Sequence, residues 1–129
     1  MYRFFALLFF SISLIISFEA SAQATSGKNS ATLTVKQKTK VNNFKIQFIK
    51  VLEDSRCPTG SQCLVAGTVS LLIRINKQKE TLTTRFDGLV VQIGSKTYRI
   101  DLKEVLPYPK SGEAADFSKY QATLTFTEI

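Results

Sequence analysis

The sequence predicts an all-β domain: a seven-stranded antiparallel sandwich of immunoglobulin-like architecture, with a small β-barrel as the alternative closure of the same strands. Three observations carry this reading. Apolar residues recur at alternate positions in seven short runs spaced about ten residues apart, helical spacing is almost absent, and Asn, Gly, Pro and Asp turn signals separate the runs.

The first run is Ala31, Leu33 and Val35, and Asn42-Asn43 marks a turn after it. Phe44, Ile46 and Phe48 open the second. Its phase slips at Phe48-Ile49 and resumes at Ile49 and Val51, which predicts a bulge. Val69, Leu71, Ile73 and Ile75 make the clearest strand, ended by Asn76-Lys77-Gln78. Leu82, Thr84 and Phe86 form the fourth, closed by the turn signal Asp87-Gly88. Leu89, Val91 and Ile93 run into Gly94-Ser95, a pair suited to a tight hairpin with positive φ at the glycine. Tyr98, Ile100 and Leu102 follow. Residues 107–117 are rich in Pro, Gly and small residues and read as a loop with one short helical turn over 113–117. Tyr120, Ala122, Leu124 and Phe126 make the last strand. The chain has no tryptophan and its two cysteines are close in sequence, unlike the sheet-to-sheet bridge of an antibody domain.

Ahead of this domain stands the pattern of a secretory signal peptide, residues 1–22. Arg3 is the positive head, residues 4–18 are apolar except for small serines, and Ala20-Ser21-Ala22 is a small-x-small cleavage site. The apolar run ends at Glu19, short of the roughly 20 residues a membrane span needs. No cysteine follows the cleavage site to carry a lipid. The expected product is a soluble secreted or periplasmic protein with no membrane span. It has a polar, flexible lead-in over residues 23–30 and a single domain over 31–129, a length that buries one core without a metal.

The net charge is +7, and cleavage leaves it unchanged because Arg3 and Glu19 depart together. Such a balance favours acidic partners such as anionic lipid, an acidic envelope glycan or an acidic protein surface; nucleic acid does not suit an exported chain. Most lysines stand at alternate strand positions, where a solvated outer face would also place them.

Catalytic chemistry is thinly provided for. There is no histidine, which excludes Ser-His-Asp and Cys-His nucleophiles and a base of neutral pKa. No paired-carboxylate spacing, phosphate loop, zinc motif or calcium loop is present. The reading is of a non-enzyme with no cofactor and no metal site. Cys57 and Cys63 are expected to form a disulfide, the default for two cysteines after export. Closing so short a loop constrains the unfolded chain by roughly 2 kcal/mol.

The stretch Glu53-Asp54-Ser55-Arg56-Cys57-Pro58, with Cys63 and then Ala66-Gly67, differs in texture from everything around it. Pro58 and Gly60 allow a tight reversal, and Gly67 marks a bulge or a close approach by another segment. This motif resembles the signature of a family of small exported bacterial proteins and lipoproteins. The run Tyr98 to Pro109 and the closing Tyr120-Gln121-Ala122-Thr123-Leu124-Thr125-Phe126 resemble that family too. The resemblance implies the fold and export, and carries no activity. Where the family usually has Trp two residues after the second cysteine, this chain has Val65.

The expected function is therefore a binding module of the cell envelope, acting through loops at one end of a rigid sandwich. The candidate binding residues are Asp54, Arg56 and Tyr108, since Arg and Tyr commonly anchor interfaces. Equally, Arg56 could pair with Asp54 and Tyr108 could cap the core. A second reading is inhibition of an exported protease by an exposed Arg56 on the Cys57–Cys63 loop.

Overall fold

The structure is a computed structural model that describes residues 29–85 and 87–129. The expected signal peptide (1–22), residues 23–28 of the lead-in and Phe86 of the fourth run lie outside the described residues. Eight strands follow in order: β1 (Asn29–Thr34), β2 (Lys38–Val41), β3 (Phe44–Asp54), β4 (Val69–Ile75), β5 (Gln78–Thr83), β6 (Leu89–Ile93), β7 (Lys96–Leu106) and β8 (Gln121–Glu128). They make two antiparallel four-stranded sheets, β1-β8-β7-β6 and β2-β3-β4-β5, packed as a sandwich and not closed into a barrel.

The inward face of each strand is the apolar face that the sequence alternation marks. On β4, Val69, Leu71, Ile73 and Ile75 are buried while Ser70, Leu72 and Arg74 stand partly exposed between them. Phe44 joins the two sheets across the core, its ring 5.6 Å from Phe126 and 5.2 Å from Tyr98. The slip at Phe48-Ile49 is a bulge, since the register with β4 shifts between Phe48 and Lys50, and again between Val51 and Glu53. The Gly94-Ser95 turn closes the β6–β7 hairpin with Gly94 at φ 64.

Four details depart from expectation. The extra strand is β2, whose sequence Lys-Thr-Lys-Val has a single apolar residue; it is an edge strand held to β3 by the Asn42-Asn43 turn. Asn29 and Ser30, expected in the lead-in, already pair with β8. The helical turn is a 3-10 turn over Phe117–Lys119, capped by Asp116, rather than over residues 113–117. Finally, Asp87-Gly88 does not turn a hairpin, because β5 and β6 lie in different sheets and the segment crosses between them.

Within this sandwich the strand order is simpler than that of immunoglobulin domains, where Greek-key connections carry the chain repeatedly from one sheet to the other. Here β2 to β5 form one meander and β6 to β8 another, and β1 completes the second sheet beside β8. The chain leaves β1 for β2 at a corner where Lys36 adopts φ 71 and its N–H donates to the Phe48 carbonyl at 2.6 Å.

Among the described residues the Thr125 hydroxyl, between the core residues Leu124 and Phe126 on β8, is the one buried side-chain polar group with no hydrogen-bond partner. An unmet buried hydroxyl costs stability. Thr125→Val, which keeps the shape and removes the hydroxyl, should therefore raise unfolding stability by about 1 kcal/mol, read as a higher urea midpoint at unchanged slope.

Candidate functional site

The end of β3 delivers Asp54 to one end of the sandwich, and the chain turns there into the disulfide segment. The Arg56 side chain folds back on Asp54 as a two-pronged pair. Nε donates to Oδ1 and Nη2 to Oδ2, each at 2.8 Å, and the Arg56 backbone N–H adds a bond to Oδ1 at 3.2 Å. The pair is sealed in, with 9% of the arginine and 1% of the aspartate side chain accessible. The Tyr120 hydroxyl donates to Oδ2 at 2.7 Å from the other sheet.

Arg56 has further donors, and they reach the end of β7. Nη1 donates to the Val105 carbonyl at 2.6 Å and Nη2 to the Pro107 carbonyl at 2.9 Å. Tyr108 lies over the guanidinium, whose carbon is 4.3 Å from the ring centroid, a cation–π stack. One arginine thus fastens the end of β3 to the end of β7, and Tyr120, just ahead of β8, joins them through Asp54.

The electrostatics follow from this geometry. Burial works to raise the Asp54 pKa, but the hydrogen bonds from Arg56 and Tyr120 outweigh it and hold the carboxyl below its ordinary 3.8. Burial works to lower the Arg56 pKa, and Asp54 outweighs it to hold the guanidinium above its ordinary value. For Tyr120, burial and then the bond to Asp54 both act upward and push the phenol from 10.0 to about 12.

The disulfide segment is docked beside this pair. Cys57 and Cys63 are bridged, with Cα atoms 5.9 Å apart. Thr59 makes a parallel bridge with Lys110, its N–H and hydroxyl donating to the Pro109 carbonyl at 2.9 and 3.0 Å. At the base, the Ser55 N–H donates to the Thr68 carbonyl at 2.8 Å and Thr68 N–H donates to Ser55 Oγ at 3.1 Å. Gly67 marks a close approach, as its sequence position suggested: a Cβ there would sit 1.6 Å from the Ser55 carbonyl oxygen.

What the latch leaves outside is apolar. Leu64 is fully exposed at 106% and Val65 at 78%, both just past the second cysteine, and Tyr108 is 48% exposed. Two hollows flank the Pro107-Tyr108-Pro109 loop. One of about 300 Å³ runs along Tyr108, Ala114, Ala115 and Lys119; a more open one of about 460 Å³ lies between Thr59, Leu106 and Tyr108. The structure thus brings Asp54, Arg56 and Tyr108 together, but only Tyr108 presents itself to solvent. Tyr120, read from the sequence as the apolar head of the last strand, turns out to share the ion pair. A tyrosine at a core position needs a partner for its hydroxyl, and that was the available signal.

The chain matches no protein-family model, no curated protein and no solved structure.

Breaking the pair from one side leaves a buried carboxylate unmet. Arg56→Gln should lower unfolding stability by about 3–5 kcal/mol, and Tyr120→Phe by about 1–3 kcal/mol, in urea titrations. The pH profile follows in sign. A carboxyl held below 3.8 contributes stability above that pH, lost as pH falls through its folded value. A phenol raised from 10.0 to about 12 contributes below pH 10, lost as pH rises through that interval. The wild type should therefore lose stability between pH 10 and 12 more steeply than Tyr120→Phe.

Proposed function

We propose that this chain is an exported, non-enzymatic binding module of the cell envelope that takes a protein partner at the loop end of the sandwich. The observation that carries this reading is the division of labour at that end. Arg56 spends its donors on Asp54 and on the Val105 and Pro107 carbonyls, while Tyr108, stacked on it, keeps 48% of its surface open. An aromatic ring held rigid by its neighbours loses little entropy on binding and is a typical interface anchor. Leu64 and Val65 add exposed apolar surface on the segment clipped by the disulfide.

Export is supported by the signal-like N-terminus and by a disulfide, which belongs to oxidising compartments. Among the described residues no helix is long and apolar enough to cross a membrane. The protease-inhibitor alternative needs an arginine standing free to enter a protease pocket. The Arg56 side chain is 9% accessible and four of its five N–H donors are bonded within the protein, which favours the binding-module reading over that one.

The test is affinity capture from envelope extract with wild type and two variants. Tyr108→Ala should lose at least ten-fold in capture of a reproducible partner while the melting temperature shifts by no more than about 3 °C. Val90→Ala, exposed on β6 opposite Arg99 and away from the Pro107-Tyr108-Pro109 loop, should capture like wild type. Equal capture by Tyr108→Ala and wild type would refute the proposal.

A further inference from the structure

We infer that the outer face of the β2-β3-β4-β5 sheet carries a second site, independent of the loop end, for an acidic polysaccharide. The starting point is charge distribution. From Asn29 to Leu52 the chain has Lys36, Lys38, Lys40, Lys45 and Lys50 and no acid, and between Asp54 and Glu80 it has Arg56, Arg74, Lys77 and Lys79 and no acid.

Register turns this bias into a surface. Lys38 pairs with Gln47, Gln47 with Arg74, and Arg74 with Lys79, so one row crosses all four strands. In the next row Lys40 lies opposite Lys45. These side chains alternate with Val41, Phe44, Ile46, Ile73 and Ile75, which point into the core, so the row faces outward. The one acid of β5, Glu80, has the parity of buried Leu82 and lies on the inner side. Among the described residues none of these five cations has an acid within ion-pair reach.

Folding alone does not favour this arrangement. Lys40 against Lys45 and Arg74 against Lys79 are like charges directly opposite on neighbouring strands, which destabilises a sheet. The row is also organised. Gln47 accepts from Arg74 Nη1 at 3.4 Å and donates from Nε2 to the Lys36 carbonyl at 3.3 Å, which orients the guanidinium. A shallow hollow of about 140 Å³ runs between Lys38, Lys45, Gln47, Arg74 and Asn76.

The occupant follows from charge and from what the face lacks. Four strands about 4.8 Å apart give a cationic row roughly 14 Å long, suited to a linear polymer with repeating carboxylate or sulfate groups. These rows expose no large apolar side chain; the nearest on β3, Leu52, lies toward the opposite end, so nothing here would anchor in a bilayer. The row crosses β3 at Gln47 and the loop end begins at Asp54, roughly 23 Å along the strand, so the two sites do not share residues.

The experiment measures binding of protein expressed from the full chain to heparin, alginate, neutral dextran and phosphatidylglycerol vesicles across a salt series. Heparin and alginate should bind at low salt and weaken steadily as salt rises, and dextran should not bind. Lys45→Gln with Arg74→Gln should cost at least ten-fold, whereas Arg99→Gln with Lys103→Gln, the same charge change on the other sheet, should cost less than two-fold. Tyr108→Ala should bind these glycans like wild type, which separates this site from the loop end. Lys79→Glu relieves a like-charge contact, so it should raise the melting temperature by about 1–4 °C while weakening glycan binding. Equal losses in the two double variants would reduce the effect to net charge and overturn the site. Vesicle binding without glycan binding would overturn the choice of ligand, and no binding to either glycan at low salt would overturn the proposal outright.

Discussion

A carboxylate in a nearly waterless corner has to be met by donors, and Asp54 is met by four. Two come from the Arg56 fork, one from the Arg56 backbone and one from Tyr120. The rest of the loop end depends on that requirement. Because Arg56 must turn inward to satisfy Asp54, its remaining donors fall within reach of Val105 and Pro107, and the end of β7 is drawn against β3. Because Tyr120 must reach the same carboxylate from the second sheet, the sandwich is closed at this end by a polar contact. An ion pair of this kind is a weak source of net stability, since a packed apolar trio can match it. Its value here is positional. It sets where the Pro107-Tyr108-Pro109 loop lies and which face of Tyr108 remains open.

The fold was readable wherever a strand has one wet face and one dry one. β4 is the clearest case: its alternating Val69, Leu71, Ile73 and Ile75 are all buried, and Leu72, out of phase with them, is partly exposed. β2 was hidden because an edge strand at the rim of the core needs only Val41 turned inward, and Lys-Thr-Lys-Val carries no apolar alternation. The crossing at Asp87-Gly88 was hidden for a related reason: a turn signal marks a change in chain direction but says nothing about which sheet receives the next strand. Strand order is decided by contacts between segments far apart in sequence, and no local pattern encodes it.

The site was legible in part. Asp54, Arg56, the two cysteines and Tyr108 are of chemical types that draw notice, and Gly67 stands out inside an apolar stretch. The carbonyls of Val105 and Pro107 have no signature, because every residue has one. That Arg56 uses its charge internally could not be told from its spacing to Asp54, since two residues apart is equally compatible with both side chains facing water. The lysine alternation of β2 and β3 was visible as a pattern, but the row through Gln47 to Arg74 and Lys79 exists only once register is fixed.

The pairing of β1 with β8 has a kinetic consequence. Thr32 and Thr123 are in hydroxyl contact across a separation of 91 residues. The first strand to emerge during synthesis therefore waits for the last, and until β8 arrives neither β1 nor the outer side of β7 has its neighbour. The β2 to β5 meander can assemble from local hairpins beforehand, but the second sheet cannot close until β8 has been made. Such non-local topologies fold slowly and leave strand edges open while they do. The step that completes the sandwich is thus the one that joins two of its most distant strands.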